Sequence, residues 1–430
     1  MTSWYKKFAS QPHQPFFTNG IIFFILFITL FAFAYSNSLK LDTSLLTYHA
    51  YALIFVVFIQ FFLGFLFVVF PKFLMQSEIV SKDYMGQFFL YFIASLGIFI
   101  SLIFYSKITI LFQLLMLFAQ ILSFRLLYSI HKKSIMKDKN DTKWVLMAFS
   151  TGIVSHFLYI VSEFDFDSSY LVSKIAINSG FYLFLFMIIF IISQRMIPFF
   201  TRVMVPEYII NKSPKLLDTI FFLLFLKVIL LSFDNPKLNL FADIPIFLFI
   251  LKELFRWKMP TFRTPPIVWI LHLGLYWIVV AFFISIVEGL FSFIYPNFYF
   301  EKVVIHTLAI GYFVTVLVGF GTRVVLGHSG RKIETKLFAL FIFISVQILA
   351  LVRIFASICV NFGLNYIVFI ELSAILLILA LIIWSLKYVA ILLENDKKPE
   401  IVVQKIDENK KDENKKDENK KDEFKPKWKV

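Results

Sequence analysis

One cysteine in 430 residues, Cys359, excludes an intramolecular disulfide and any Cys-x-x-Cys-His haem attachment. Charge is scarce as well: Asp, Glu, Lys and Arg make up 16% of the chain, against about 25% in soluble globular proteins. The residue-by-residue alternation of a transmembrane β-barrel strand is missing, because the apolar runs are unbroken. What the chain has instead is apolar bulk, with 59% hydrophobic residues and 58 phenylalanines. Runs such as "PFFTNGIIFFILFITLFAFAY" (15–35) and "FFLLFLKVILLSF" (221–233) reach or approach the roughly 20 residues that span a bilayer.

The length rule places helices near 17–36, 46–70, 86–105, 108–130, 143–162, 173–197, 216–233, 238–256, 266–294, 302–326, 336–360 and 364–394. The chain is therefore expected to be an all-α polytopic membrane bundle of about twelve transmembrane helices. Lys and Arg set its orientation. Up to residue 336, one alternate set of loops holds 22 of them and the other holds 5 (Lys40, Lys107, Lys174, Lys237 and Lys302). The rich set is cytoplasmic, which puts both termini in the cytoplasm. The net charge of +14 comes mostly from these inner loops, so it reports topology and not nucleic-acid binding.

Two segments stand apart. The first span contains "AFA" at 32–34, which resembles a signal-peptidase site, but its apolar run exceeds a secretory h-region and is read as an uncleaved anchor. The transmembrane domain is taken as 1–395. Residues 396–430, built on a KKDEN repeat, have no apolar face and are expected to form a disordered cytoplasmic tail.

Of seven histidines, His13 in the N-terminal segment and His131 in the most basic inner loop are set aside. The other five lie in or beside spans, where ionisable groups are rare and usually mark a site. His49, His156 and His306 fall at the outer side, on three different helices, and are expected to converge on one metal. His272 and His328 fall at the inner side. His306 and His328 are 22 residues apart, about 33 Å of helix and roughly 40° out of phase, so one helix carries a histidine to each side of the membrane. Thr307, Gly311, Thr315 and Gly319 form a small-residue row on that helix, fit for a neighbouring helix or a flat cofactor.

Neutral imidazole ligates haem iron and copper. Haem propionates favour arginine near the membrane surface, and Arg195, Arg202, Arg323 and Arg331 supply it on the inner side. Buried histidines could instead relay protons. Two further charges, Arg353 and Glu371, sit inside the last two spans at similar depth. Each is expected to pair or to face a polar cavity, since an unpaired charge there costs at least ~2.5 kcal/mol.

"HTLAIGYFVTVLVGFGTRVVLGHSGR" (306–331) resembles the signature region of the NnrS family, with Ser329 where that family has threonine. "QRMIPFFTR" (194–202), "ILHLGLYW" (270–277) and "QPHQPFF" (11–17) resemble further family segments in the same order. The resemblance implies a membrane protein with haem and copper, tied to nitric oxide stress. Its metal ligands would be drawn from His49, His156, His272, His306 and His328. One departure is at "YHAYA" (48–52): Tyr51 and Ala52 stand where the family has a second histidine and a glutamate, which puts copper occupancy in doubt. Tyr51 is two residues from His49, about 200° around a helix. Either the span begins with an irregular turn at Tyr48–Tyr51, or Tyr51 faces away and is not a ligand.

The expected function is thus a haem-binding, possibly haem-copper, protein of the bacterial inner membrane. It would bind or redox-process a small diatomic ligand such as nitric oxide, or relieve its damage, with non-covalent b-type haem. Its partners are the lipid bilayer and that ligand; no nucleic acid is expected. The alternatives are a twelve-helix secondary transporter with histidines as a proton path, and a non-catalytic haem sensor or scaffold.

Overall fold

A computed structural model describes residues 3–41, 43–164, 166–295 and 299–393; the charged tail expected at 396–430 lies outside them. Every regular element among the described residues is helical. After a short helix at Ser3–Phe8, twelve helical rods follow. They are α1 (His13–Tyr35), α2 (Leu45–Phe73), α3 (Ser81–Phe104), α4 (Ser106–Lys133), α5 (Asn140–Ser162) and α6 (Ser169–Met204). Then come α7 (Leu216–Leu231), α8 (Pro236–Trp257), α9 (Pro266–Ile294), α10 (Val303–His328), α11 (Leu337–Phe362) and α12 (Tyr366–Leu393).

The rods stand where the apolar runs place them, and ten are long and apolar enough to cross a membrane. The other two are α7, with 16 residues, and α8, which carries Lys237, Asp243, Lys252, Glu253 and Arg256. The chain is an all-α polytopic bundle. Its two ends meet at one face, where the Gln14 amide donates to the Leu392 carbonyl (3.3 Å).

Three rods form the centre. The apolar windows of α2, α6 and α10 are 89%, 83% and 78% buried, whereas no other span exceeds 61%. They meet through phenyl rings: Phe55 with Phe184, Phe181 with Phe313, and Phe58 with Phe313, at ring centroids of 6.4, 5.3 and 5.9 Å. The remaining helices pack around this trio.

The same three rods share a local irregularity. Each contains a π-helical segment near its outer end, at Ala52–Val57, Gly180–Phe186 and Thr307–Val314. A central, π-bulged rod therefore recurs at every fourth helix. A widened turn leaves carbonyls without their i+4 partner, and in lipid each must find another donor. Gln60 Nε2 donates to the Val56 carbonyl (2.8 Å), and the Thr151 hydroxyl donates to that of Leu183 (3.0 Å).

The small-residue row on α10 serves packing. A Cβ on Gly311 would lie 2.7 Å from Trp277, and one on Gly319 would lie 2.6 Å from Leu271, both on α9. Thr315 accepts from Gln347 (3.0 Å), whose carbonyl oxygen accepts from the Trp277 indole (2.7 Å).

Candidate functional site

At the outer end, α2 and α10 bring His49 and His306 together, with ring centroids 6.5 Å apart and planes 27° apart. His49 stands on the regular α-helical turn Leu45–Tyr51, edge-on to Phe31 at 5.2 Å. His306 ends the first turn of α10, immediately before its π segment. Its Nδ1 lies 2.9 Å from the Lys302 carbonyl, so that nitrogen carries the proton and Nε2 keeps its lone pair. This backbone anchoring is how metal-binding histidines are commonly oriented. Arg353 on α11, buried, places Nη2 3.1 Å from His306 Nδ1 and 3.4 Å from Nε2, while Nη1 donates to Ser357 (2.5 Å). Arg353 thus faces a polar interior, with His306 and Ser357 as partners in place of Glu371, which is half-buried.

The third outer histidine does not join them. His156, fully buried, points at α2 and α4: the Tyr51 hydroxyl lies 2.9 Å from its Nε2 and Gln120 Oε1 lies 2.8 Å from its Nδ1. Tyr51 stacks on Tyr159 at 4.5 Å and faces away from His49, as the 200° spacing requires. The helix is regular through Tyr51 and widens only after it. Among the described residues, no group of three or more His, Cys, Asp and Glu side chains could hold one metal ion. The three-histidine convergence is therefore replaced by a pair.

The inner layer also rearranges the expectation. His328 does not meet His272; its ring lies 4.4 Å from that of His13, at 42°. His13 is buried at the start of α1, and its Nδ1 has no hydrogen-bond partner. His272 is enclosed between hydroxyls, with Nε2 2.8 Å from Thr201 and Nδ1 3.2 Å from Thr261. Thr201 already donates to the Ile197 carbonyl (2.8 Å), so the ring donates from Nε2 and accepts at Nδ1.

The arginines divide. Arg195 is held by Asp141 (2.6 Å) and lies 3.9 Å over Phe73. Arg202 and Arg331 are exposed. Arg323 is buried 3.9 Å over the Phe200 ring, and its Nη1 has no partner. The planar fork of a guanidinium matches a carboxylate.

The chain matches the family described as "NnrS protein" over residues 7–395, nearly its whole length. The chain belongs to the NnrS family. No curated protein matches it. Membership supports a membrane protein associated with nitric oxide stress. In this NnrS-family bundle the two longest resembling segments touch, since Arg323 in "GTR" lies on Phe200 in "QRMIPFFTR". Tyr51 stands clear of the His49–His306 pair and bonds His156 instead.

Sequence reasoning missed two features. His13 was set aside as N-terminal, although "QPHQPFF" already marked its surroundings. The other is a buried ion pair: Lys227 Nζ on α7 lies 2.8 Å from Asp243 Oδ2 on α8, and Ser285 donates to the same oxygen (2.6 Å). A lysine and an aspartate in consecutive spans were the available signal.

Proposed function

We propose that this NnrS-family protein binds haem non-covalently in the bacterial inner membrane. Its role is to bind or redox-process a small diatomic ligand such as nitric oxide, or to relieve its damage. The observation that carries the reading is the His49–His306 pair. Their ring centroids are 6.5 Å apart, near enough that both imidazoles would be able to hold one metal between them. The proton on His306 Nδ1 leaves the lone pair on Nε2; Arg353 donates toward it at 3.4 Å, so ligation there would displace that contact and free the guanidinium for a carboxylate. Haem iron supplies the affinity for a diatomic and the one-electron chemistry. The protein's residues would orient the imidazoles, which are half-buried, and compensate the anionic groups of the haem.

His13 and His328 form a second candidate pair. At a centroid separation of 4.4 Å the two imidazoles would be able to hold one metal together. Arg323, whose Nη1 has no hydrogen-bond partner, would be the inner counter-cation. Copper at the outer pair has less support, because His156 is engaged by Tyr51 and Gln120.

The test is the absorption spectrum of the protein purified in detergent. A Soret band that tracks the protein, and falls at least severalfold in His49→Ala and in His306→Ala, is the expected result. A colourless full-length protein with neither iron nor copper would sink the haem reading and leave the transporter alternative. Unchanged haem in both variants would remove the outer pair from it.

A further inference from the structure

An apolar cavity of about 60 Å³ lies among α1, α2, α6 and α10. Phenyl rings dominate its wall: Phe17 from α1, Phe58 and Phe61 from α2, and Phe313 and Phe320 from α10, with Leu317 completing that side. α6 closes it with isoleucines, and no charged, amide or hydroxyl side chain lines it. One water needs roughly 10–15 Å³ of such volume and two to four polar partners, so the space is large enough for several waters and offers them nothing to bind. Cavities of this kind stay dry and take up apolar guests.

Its position is defined by the chain. Phe58 is nine residues past His49 and Phe313 seven past His306, while Phe17 is four past His13. The cavity therefore sits between the two histidine pairs. A smaller void of about 10 Å³ shares Phe17, Phe61, Leu317 and Gly321 with it and leads to Leu381 and Trp384 on α12. α12 is the span least buried, at 28%, but Leu381 and Trp384 are on its inward face.

We infer that this cavity is a binding site for small apolar gas molecules of one to three heavy atoms. Such molecules dissolve better in hydrocarbon than in water, need no hydrogen bonds, and match the volume. That nitric oxide is the physiological occupant rests on the function proposed above; the capacity for an apolar gas does not.

Xenon tests the site without reference to any cofactor. Crystals of the full-length protein pressurised with xenon are expected to show an anomalous peak among Phe61, Phe313 and Leu317. The purified protein should also shift the resonance of dissolved 129Xe. Leu317→Trp, which fills the cavity, should abolish both signals at unchanged helical content; if that variant misfolds, Leu317→Phe should weaken them severalfold. An empty cavity under xenon, xenon signals indifferent to both substitutions, or ordered water or a larger molecule filling the space would each overturn the inference. A protein that lacks haem but binds xenon here would fail the functional proposal alone.

Discussion

His13 and His328 face each other across α1 and α10 with ring centroids 4.4 Å apart, and His13 Nδ1 is buried without a partner. Leaving a buried polar atom unsatisfied costs about 1–3 kcal/mol. A bound group that engages the pair removes that cost. His13→Ala and His328→Ala are each expected to lower total iron plus copper per protein by at least about a third relative to wild type. His272→Ala should leave it unchanged, because both of its nitrogens already bond threonine hydroxyls. Elemental analysis decides: metal lost only in His272→Ala would reverse the assignment.

Arg353 makes a prediction about charge as distinct from shape. It is buried beside His306 and shares Ser357, so its guanidinium is the nearest fixed cation to the outer pair. Removing a positive charge beside a haem favours the ferric state. Arg353→Leu should shift the reduction potential of the bound haem negative by on the order of tens of mV, with Arg353→Lys shifting it less. A spectroelectrochemical titration with identical midpoints in all three proteins would show that no redox centre lies beside Arg353.

Most of the architecture was legible from length and hydropathy, because a bilayer dictates how long an apolar helix must be. The positions of twelve rods and the coincidence of both ends at one face follow from those two patterns. The central trio was not legible: α12, the least buried span, is as apolar as α2, and α10 is less apolar than α9 and α11, so only packing shows which helices are enclosed. The histidines divide in the same way. Depth along the helix sorted His49 with His306 correctly, since 1.5 Å per residue fixes depth. Depth also grouped His156 with them and His272 with His328, yet azimuth turns both toward hydroxyl and amide partners. The π segments add rotation that a uniform 100° per residue cannot supply.

The Lys227–Asp243 pair makes a prediction about stability. Both side chains are buried, and Asp243 Oδ1 has no partner. Removing one member of a buried pair costs about 3–5 kcal/mol, because the other charge is left uncompensated. Lys227→Met alone should lower the thermal unfolding temperature in detergent markedly. Adding Asp243→Leu should recover most of the loss, since an apolar pair of similar volume replaces an ion pair at little cost. A double variant no more stable than the single one would mean that the pair has a role beyond mutual neutralisation.

The last prediction concerns Tyr51, where this chain leaves the family pattern. Its hydroxyl lies 2.9 Å from His156 Nε2, in a fully buried contact. Tyr51→Phe leaves that nitrogen without a partner and should destabilise the fold by about 1–3 kcal/mol. Haem content should not change, because Tyr51 faces away from His49 and His306. Tyr51→His restores the family residue and sets a second imidazole against His156, which already donates from Nδ1 to Gln120 and so offers Nε2. Two imidazoles with free nitrogens at one place are better copper ligands than a phenol and an imidazole. Copper per protein should therefore rise in Tyr51→His and stay at the wild-type level in Tyr51→Phe. Equal copper in wild type and Tyr51→His would show that position 51 is not a ligand position in this bundle, and that the tyrosine there serves the packing of α2 on α5.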